Sequence, residues 1–365
     1  MLSQHELVPY LLSRDLIAPQ SVVDGNVAVL DSSRRNRNYK IISPDGCYLV
    51  KHAVGSSRIQ TLSREAAIYQ QIFSGNHMDG IAEYLPKFCA YDSERHILVL
   101  ELIQNAENLR EQHQRLRRAS SQAAKYAAVT MAALHGAALT PHEWTAASRT
   151  SVLSLHQPDL AWYRDASGAA LHLVEIIQKH ESLTDHLDQL YHEWHASCLI
   201  HGDIRAENFL IPVPLAQSKR RVKLVDFEFA GTGDPAWDTG CIFAEYLGFW
   251  LFSTPVMAAN QVHRFIHLAE CPLQNIQPSL RSFWAQYARC MALDGSESEQ
   301  FVLRAVRFSA LRLIVSAFEM SVHLSSLNAY VLCLVQVAMN ILAQPEKAAI
   351  ELFGLALPDG PLCHD

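Results

Sequence analysis

The spacing of hydrophobic positions changes near residue 104 and predicts two parts with different secondary structure. In the first part, three short strand-like runs are separated by turn-forming residues, which predicts a small sheet. These runs are residues 27–31, 38–42 and 47–52. A short helix over residues 4–14 precedes them, and apolar residues at helical spacing predict another helix from Ser63 onward. A buried strand over residues 96–102 ends this part.

Apolar positions at helical spacing dominate the remainder of the chain. The predicted helices are residues 120–138, 182–197, 235–252, 261–267, 280–291, 297–320 and 324–342. The last four follow one another closely, so they predict a helical cap at the C-terminal end. Residues 139–181 are rich in aromatic and turn-forming residues but weak in periodicity, and we interpret them as an insertion near an acceptor site.

One short hairpin interrupts this helical part. Its two apolar strands are predicted at residues 208–212 and 222–225, with a polar turn between them. Asp203 lies five positions before Asn208 and twenty-three before Asp226, so all three side chains stand near the ends of these strands. Three oxygen ligands can therefore converge at the hairpin.

Carboxylate and amide oxygens in this order indicate magnesium binding and phosphoryl transfer. Mg²⁺ usually keeps one or two carboxylates and takes its other ligands from phosphate and water, a role that fits Asn208 and Asp226. Asp203 is free to accept the proton of an incoming hydroxyl. Arg205 would place a positive charge near the transferred phosphoryl group. The simpler alternative is that these residue types populate turns between strands.

Composition narrows the class of protein. The chain has 365 residues with 49% hydrophobic content, so it can bury a substantial core and divide into two lobes. The net charge of −7 comes without a basic face or a block of like charge, which gives no case for nucleic-acid or membrane binding. The eight cysteines include no Cys-x-x-Cys pair, so we expect reduced core residues rather than disulfides or a zinc site.

Segments that direct a protein to a membrane or out of the cell are not predicted. The N-terminal sequence lacks a basic segment followed by a long apolar core, as a secretory signal requires. The most apolar late segment, residues 329–343, is too short for a membrane span and contains Gln336 and Asn340. We therefore expect a cytoplasmic protein.

Around the hairpin the sequence resembles a known family. HGDIRAEN at residues 201–208, followed by VDFEFAGTGDPAWD at residues 225–238, resembles the catalytic-loop and metal-binding motifs of aminoglycoside phosphotransferases and choline kinases. The resemblance implies an α+β, protein-kinase-like two-lobed fold. Its small β-rich N-lobe would be residues 1–103, and its larger, mainly helical C-lobe residues 104–365, including the insertion and the helical cap.

The resemblance also implies roles for single residues of these motifs. Asp203 would be the catalytic base, Asn208 and Asp226 would be metal ligands, and Asp238 would brace the catalytic loop. Glu228 stands where protein kinases carry glycine, a departure that is typical of the small-molecule branch. We include Glu228 among the candidate metal ligands.

In the N-terminal part, the resemblance assigns nucleotide contacts to strand residues. Lys51, in the third predicted strand, can reach the phosphates, and by resemblance to kinases it would form an ion pair with Glu65. The end of the strand at residues 96–102 would be the hinge, whose backbone groups recognise adenine. Glu101 and Ile103 are therefore candidates by position.

The turn SSRRNRN, residues 32–38, lies where a loop would cover the nucleotide phosphates. It contains no glycine, so the Gly-rich motif of kinases is absent. Phosphate contacts would come from Ser33, Asn36, backbone amides or the neighbouring arginines. The alternative is a solvated hairpin turn.

The acceptor is the least constrained part of the prediction. Eleven residues separate Asp226 from Asp238, which leaves no room for the activation segment and peptide platform of ordinary protein kinases. After residue 252 the chain has nine acidic and seven basic residues, without the acidic surplus that would grip a polycationic aminoglycoside.

The sequence thus predicts a kinase that uses ATP or another NTP with Mg²⁺ and phosphorylates a hydroxyl of a small metabolite or natural-product intermediate. One alternative is a kinase for Ser or Thr of a precursor peptide in lanthipeptide-like biosynthesis, which would involve a pathway partner protein. A second is a pseudokinase that acts as a binding module, favoured only by the glycine-free turn. Arg304 and Arg307, near Arg312, could bind a carboxylate or phosphate or lie on a solvated helix face.

Overall fold

The computed structural model describes residues 4–33, 37–74, 79–137, 153–215, 221–254 and 269–357. The chain divides into two compact units. The first unit comprises Met1–Asn108 and Asn208–Ala230, and the second comprises Leu109–Glu207 and Gly231–Asp365. Each unit is therefore built from two separate stretches of sequence.

The first unit combines strands with a few helices, numbered in chain order. They are α1 (Gln4–Ser13), α2 (Pro19–Val23), β1 (Ala28–Asp31), β2 (Arg37–Ile42), β3 (Cys47–His52), α3 (Ser56–Ser74), α4 (Asp79–Ala82), β4 (Phe88–Asp92), β5 (Ile97–Glu101), β6 (Ala106–Asn108), β8 (Phe209–Pro212) and β9 (Lys223–Leu224). The strands predicted in the N-terminal part are confirmed within one residue at most ends. Strand β4 was not predicted.

Five strands form an antiparallel sheet in the order β1-β2-β3-β5-β4. Leu7 and Leu11 of α1 lie in one buried cluster with Ile41, Val50 and Val99 of the sheet. Because successive side chains of a strand face opposite sides, Lys51 lies on the face away from this cluster. Its partner on that face is α3, as the ion pair described below shows.

A second small sheet of the first unit has the order β6-β8-β9. Phe209 pairs with Leu224, which confirms the predicted hairpin, and Ala106 pairs with Pro212. The sequence placed the hairpin in the helical C-lobe. In the structure Asn208–Ala230 belongs to the first unit, because β8 is hydrogen-bonded to β6 of that unit.

The second unit is mainly helical. It contains α5 (Leu109–Leu116), α6 (Ser121–His135), α7 (Leu160–Asp165), α8 (Gly168–Lys179), α9 (Glu181–Glu193), β7 (Cys198–Ile200), β10 (Gly231–Gly233), α10 (Pro235–Phe252), α11 (Leu273–Cys290), α12 (Gly295–Ser321), α13 (Ala329–Ala343) and α14 (Pro345–Glu351). Helix α10 is buried around most of its circumference and packs against α12. At Gly240 the two helices approach closely, since a Cβ atom there would lie 2.6 Å from the carbonyl oxygen of Ala305.

Several predictions for this unit were inaccurate. Helix α11 begins at Leu273 instead of residue 280, and α13 begins at Ala329 instead of residue 324. Helix α9 ends at Glu193 instead of residue 197, because the chain then enters β7, which pairs with β10. The described part of the predicted insertion is largely helical, and α8 buries Leu173 and Ile177. Residues 138–152 and the predicted helix at 261–267 lie outside the described residues.

Two further expectations can be compared with the structure. The seven cysteines within the described residues are free thiols, but only Cys198, Cys241 and Cys271 among them are buried, and Cys290 is exposed. No helix in the described part of the chain combines the length and apolar character needed to cross a membrane.

Candidate active site

The backbone of residues 201–203, in the second unit, is held by a buried aspartate. Asp238, in the first turn of α10, accepts hydrogen bonds from the backbone N–H of His201 at 2.7 Å and of Gly202 at 3.0 Å. Gly202 has φ +81°, a conformation that glycine adopts without strain. The bracing role that the resemblance implied for Asp238 is therefore present in the hydrogen bonds.

Asp203 follows this braced backbone and is fixed by Arg205. Nε of Arg205 donates to both carboxylate oxygens of Asp203 at 3.0 Å, and Nη2 donates to Oε1 of Glu319 at 2.6 Å. Burial alone would lower the pKa of Arg205, but the charges of Asp203 and Glu319 outweigh it and raise the pKa. The Asp203 side chain stays 26% exposed, so it remains accessible from solvent.

In the first unit, Lys51 lies between two carboxylates. Its Nζ is 2.7 Å from Oε1 of Glu65 on α3 and 2.5 Å from Oδ1 of Asp226. Burial alone would lower the pKa of Lys51, but the charges of Asp226 and Glu65 raise it, so the amine stays protonated. Lys51 and Glu65 are buried, whereas the Asp226 side chain is 52% exposed. The network is thus open only at Asp226.

Asn208 and Asp226 lie at the same end of the β8–β9 pair. The backbone N–H of Val225 donates to the carbonyl oxygen of Asn208 at 3.0 Å, which places the residue before Asp226 against Asn208. Asp226 has φ +68°, a left-handed conformation that aspartate tolerates better than most residues. The structure therefore brings together the two predicted metal ligands. Glu228 lies in the turn that follows, at Phe227–Phe229.

Oxygen donors of this kind suit magnesium. Mg²⁺ prefers carboxylate and amide oxygens and completes its shell with phosphate and water, so one carboxylate and one amide are a sufficient protein contribution. Among the described residues, no group of three or more His, Cys, Asp or Glu side chains is arranged to hold a metal by itself.

The predicted hinge lines a cavity of about 400 Å³ in the first unit, to which Glu101 and Ile103 both contribute. The backbone N–H of Glu101 already donates to the carbonyl of Lys87 at 2.9 Å, and that of Leu102 donates to Cys47 at 2.8 Å. Neither N–H group can donate to the adenine of a nucleotide without giving up its present hydrogen bond. Ile103 is thus the stronger of the two predicted hinge residues.

Ser33, one of the predicted phosphate contacts, is hydrogen-bonded to residues on both sides of residues 34–36. The backbone N–H of Ser33 donates to Asp31 at 2.8 Å, and the hydroxyl of Ser33 accepts from the N–H of Asn38 at 3.1 Å. These local bonds favour the hairpin-turn alternative. The other candidate of this turn, Asn36, lies outside the described residues.

The sequence of this chain is similar to that of a known enzyme family. A sequence model described as the phosphotransferase enzyme family matches residues 26–261, more than half of the chain. The chain belongs to the phosphotransferase enzyme family. A search of curated proteins gives no match.

Solved structures show the fold of this phosphotransferase. An ethanolamine kinase from Plasmodium vivax is 15% identical, with a TM-score of 0.57, over 94% of this chain and 90% of that chain. A choline kinase from Cryptosporidium parvum is 11% identical, with a TM-score of 0.59, over 96% and 99% of the two chains. A choline kinase from Streptococcus pneumoniae is 16% identical, with a TM-score of 0.51, over 93% and 99%. The predicted protein-kinase-like fold is confirmed.

Sequence reasoning missed a second cavity of this phosphotransferase, within the second unit. It has a volume of about 320 Å³ and is lined by Arg205 together with Arg312 of α12. The signal available in the sequence was a single arginine inside the apolar run ALRLIVSAF. Arg304 and Arg307, the other members of the predicted arginine group, instead form ion pairs with Asp234 and Glu193.

Proposed function

We propose that this phosphotransferase moves the γ-phosphoryl group of ATP, with Mg²⁺, to a hydroxyl of a small molecule. The observation that carries the proposal is the Lys51–Glu65–Asp226 network. A buried lysine kept protonated by two carboxylates provides a fixed positive charge, and one of the two, Asp226, is half exposed. A buried lysine beside this half-exposed carboxylate suits a phosphate and its cation better than it suits core packing.

Each residue then has a separate task. Lys51 binds phosphate oxygens, and Glu65 keeps the lysine in place. Asn208 and Asp226 provide oxygen ligands for Mg²⁺, which when bound neutralises phosphate charge and orients the terminal phosphoryl group. Asp203 accepts the proton of the acceptor hydroxyl and orients its oxygen for attack.

Arg205 contributes through Asp203. Its guanidinium holds both carboxylate oxygens, which fixes the direction of the base. A hydrogen-bonded carboxylate is oriented before the acceptor arrives, so less rotational freedom is lost in the transition state. The names of the matched solved structures, choline kinase and ethanolamine kinase, support a hydroxyl of a small molecule as the acceptor.

The test is transfer of labelled phosphate from γ-labelled ATP to a panel of small alcohols, with Mg²⁺ or with a chelator. We expect transfer by the wild type only with Mg²⁺. Asp203→Asn should reduce kcat by about 10²- to 10⁴-fold, the usual contribution of a general base. The melting temperature should change little, because the side chain is partly exposed and outside the core.

Three results would count against the proposal. Transfer that persists in Asp203→Asn would remove this residue from the base role. Phosphorylation of Ser or Thr peptides but of no small alcohol would favour the precursor-peptide alternative. Nucleotide binding without any transfer would favour the binding module.

A further inference from the structure

The cavity of about 320 Å³ in the second unit combines an apolar wall with charged groups. Phe249 and Phe252 of α10 and Leu313 of α12 provide apolar surface. The charged lining residues are Arg110, Arg205, Glu245, Arg312 and Glu319, and His113, Gln114 and Ser316 add polar groups. A cavity with a hydrophobic wall and a few convergent polar groups has the composition of a small-molecule site.

Arg312 is the most unusual of these side chains. It is only 2% exposed, and its Nη2 donates to Oε2 of Glu319 at 3.4 Å. Within the described ranges, neither Nε nor Nη1 has a hydrogen-bond partner. Burying a charge without full pairing is costly, so a guanidinium in this state is expected to serve a ligand that supplies the missing acceptors.

His113 gives a second, independent indication. It is 3% exposed and lies against the rings of Tyr246 and Phe249, and its Nε2 has no partner in the part of the chain that the structure describes. Burial lowers the pKa of His113 to about 4, so the ring is neutral near pH 7. A neutral imidazole can donate or accept one hydrogen bond from a polar ligand.

The cavity is connected to the proposed base by a chain of ion pairs. Glu319 accepts from Arg312 at 3.4 Å and from Arg205 at 2.6 Å, and Arg205 holds Asp203. All four residues belong to the second unit. A molecule held at Arg312 therefore lies in a cavity that is also lined by Arg205, the residue that orients Asp203.

We propose that this cavity binds the acceptor and that Arg312 binds an anionic group, a carboxylate or a phosphate, on it. The proposal rests on the proposed function, since it names the acceptor class of the same reaction. Three arginines and two glutamates line the cavity, and each glutamate is already paired with an arginine. A cationic acceptor would meet a buried guanidinium without compensation, which disfavours it.

The experiment compares small alcohols of different charge. Gluconate and glycerol 3-phosphate are the anionic probes, glucose and glycerol the neutral ones, and glucosamine and choline the cationic ones. Binding is measured by calorimetry, and transfer by release of ADP. We expect gluconate and glycerol 3-phosphate to bind at least about tenfold more tightly than the neutral and cationic probes. Tighter binding of gluconate would assign a carboxylate to Arg312, and tighter binding of glycerol 3-phosphate would assign a phosphate.

Two variants separate ligand binding from a structural role of Arg312. Arg312→Gln should raise the Kd and KM of the preferred anionic probe by about 10- to 100-fold, the loss expected for a hydrogen bond to a charged group. The KM of ATP should stay unchanged, and the melting temperature without probe should equal or exceed that of the wild type, because an underpaired buried charge is removed. Arg312→Lys should recover part of the affinity, and the exposed Arg289→Gln is the matched control.

The two proposals fail differently. Binding of the anionic probes that depends on Arg312, without any ADP release, would leave the anion site at Arg312 standing and overturn the phosphotransferase roles of Asp203 and Lys51. Tighter binding of glucosamine or choline, equal or absent binding of all six probes, or unchanged affinity in Arg312→Gln would overturn the anionic acceptor.

Discussion

One buried side chain, His113, makes the stability of the protein depend on pH. Its pKa is lowered to about 4 by burial, below the ordinary histidine value of 6.5. Between these two values the unfolded chain binds more protons than the folded protein, so stability falls as the pH falls through this window. At pH 5 the loss relative to pH 7.5 should be about 2 kcal/mol from this residue.

The measurement is urea unfolding of the wild type and His113→Gln at pH 7.5 and pH 5. Between pH 7.5 and pH 5, we expect His113→Gln to lose about 2 kcal/mol less stability than the wild type. The exposed His192→Gln on α9 is the control and should keep the wild-type pH dependence. Equal acid sensitivity of wild type and His113→Gln would show that His113 is not held neutral by burial.

The sequence singled out the residues of the two motifs but gave no sign of the cavity that Arg312 and His113 line. The spacing pointed to Asp203, Asn208 and Asp226, and the resemblance added Asp238; the roles of the first three as base and metal ligands stay predictions. Arg312 and His113 are on different helices, and their shared cavity depends on how these helices pack. Ser33 was predicted as a phosphate ligand, but its hydrogen bonds to Asp31 and Asn38 are local and favour a turn.

Among the helices, the contact between α10 and α12 sets the geometry of the second unit. A Cβ atom at Gly240 would lie 2.8 Å from the backbone nitrogen of Ser309 as well as 2.6 Å from the carbonyl oxygen of Ala305. Backbone atoms cannot move aside as a flexible side chain can. Gly240→Ala should therefore destabilise the protein by about 1–3 kcal/mol, as overpacked cores do.

Gly248, in the same helix, is the matched control. A Cβ atom there would meet Phe252 at 3.5 Å, an ordinary contact. Gly248→Ala should be neutral or should stabilise by up to about 1 kcal/mol through helix propensity. Urea unfolding measures both variants. Equal stability of the two would mean that α10 and α12 do not pack as closely at Gly240 as described.

Long elements could be predicted from the sequence, and short paired strands could not. Helix α10 was predicted within its observed bounds because Pro235 begins it and a continuous apolar run follows. Strands β7 and β10 have three residues each and exist because they pair across thirty residues of chain. Periodicity over three residues carries no signal of that pairing.

For the whole chain, two lobes were predicted and two compact units are found. The spacing of hydrophobic positions changes near residue 104, and the first stretch of the first unit ends at Asn108. The sequence could not show that Asn208–Ala230 returns to it, since this return depends on the pairing of β8 with β6. Lys51 and Asp226 therefore share a unit although they are 175 positions apart in the sequence.

The central claim is that Asp226 and Asn208 hold the magnesium ion of a bound nucleotide beside Lys51. The direct test is calorimetric titration of ATP into the wild type and Asp226→Asn, each with Mg²⁺ and with a chelator. We expect Asp226→Asn to weaken binding by about tenfold or more with Mg²⁺, because a ligand of the ion loses its charge, and to leave metal-free binding nearly unchanged. Equal affinity of wild type and Asp226→Asn in the presence of Mg²⁺ would contradict the account.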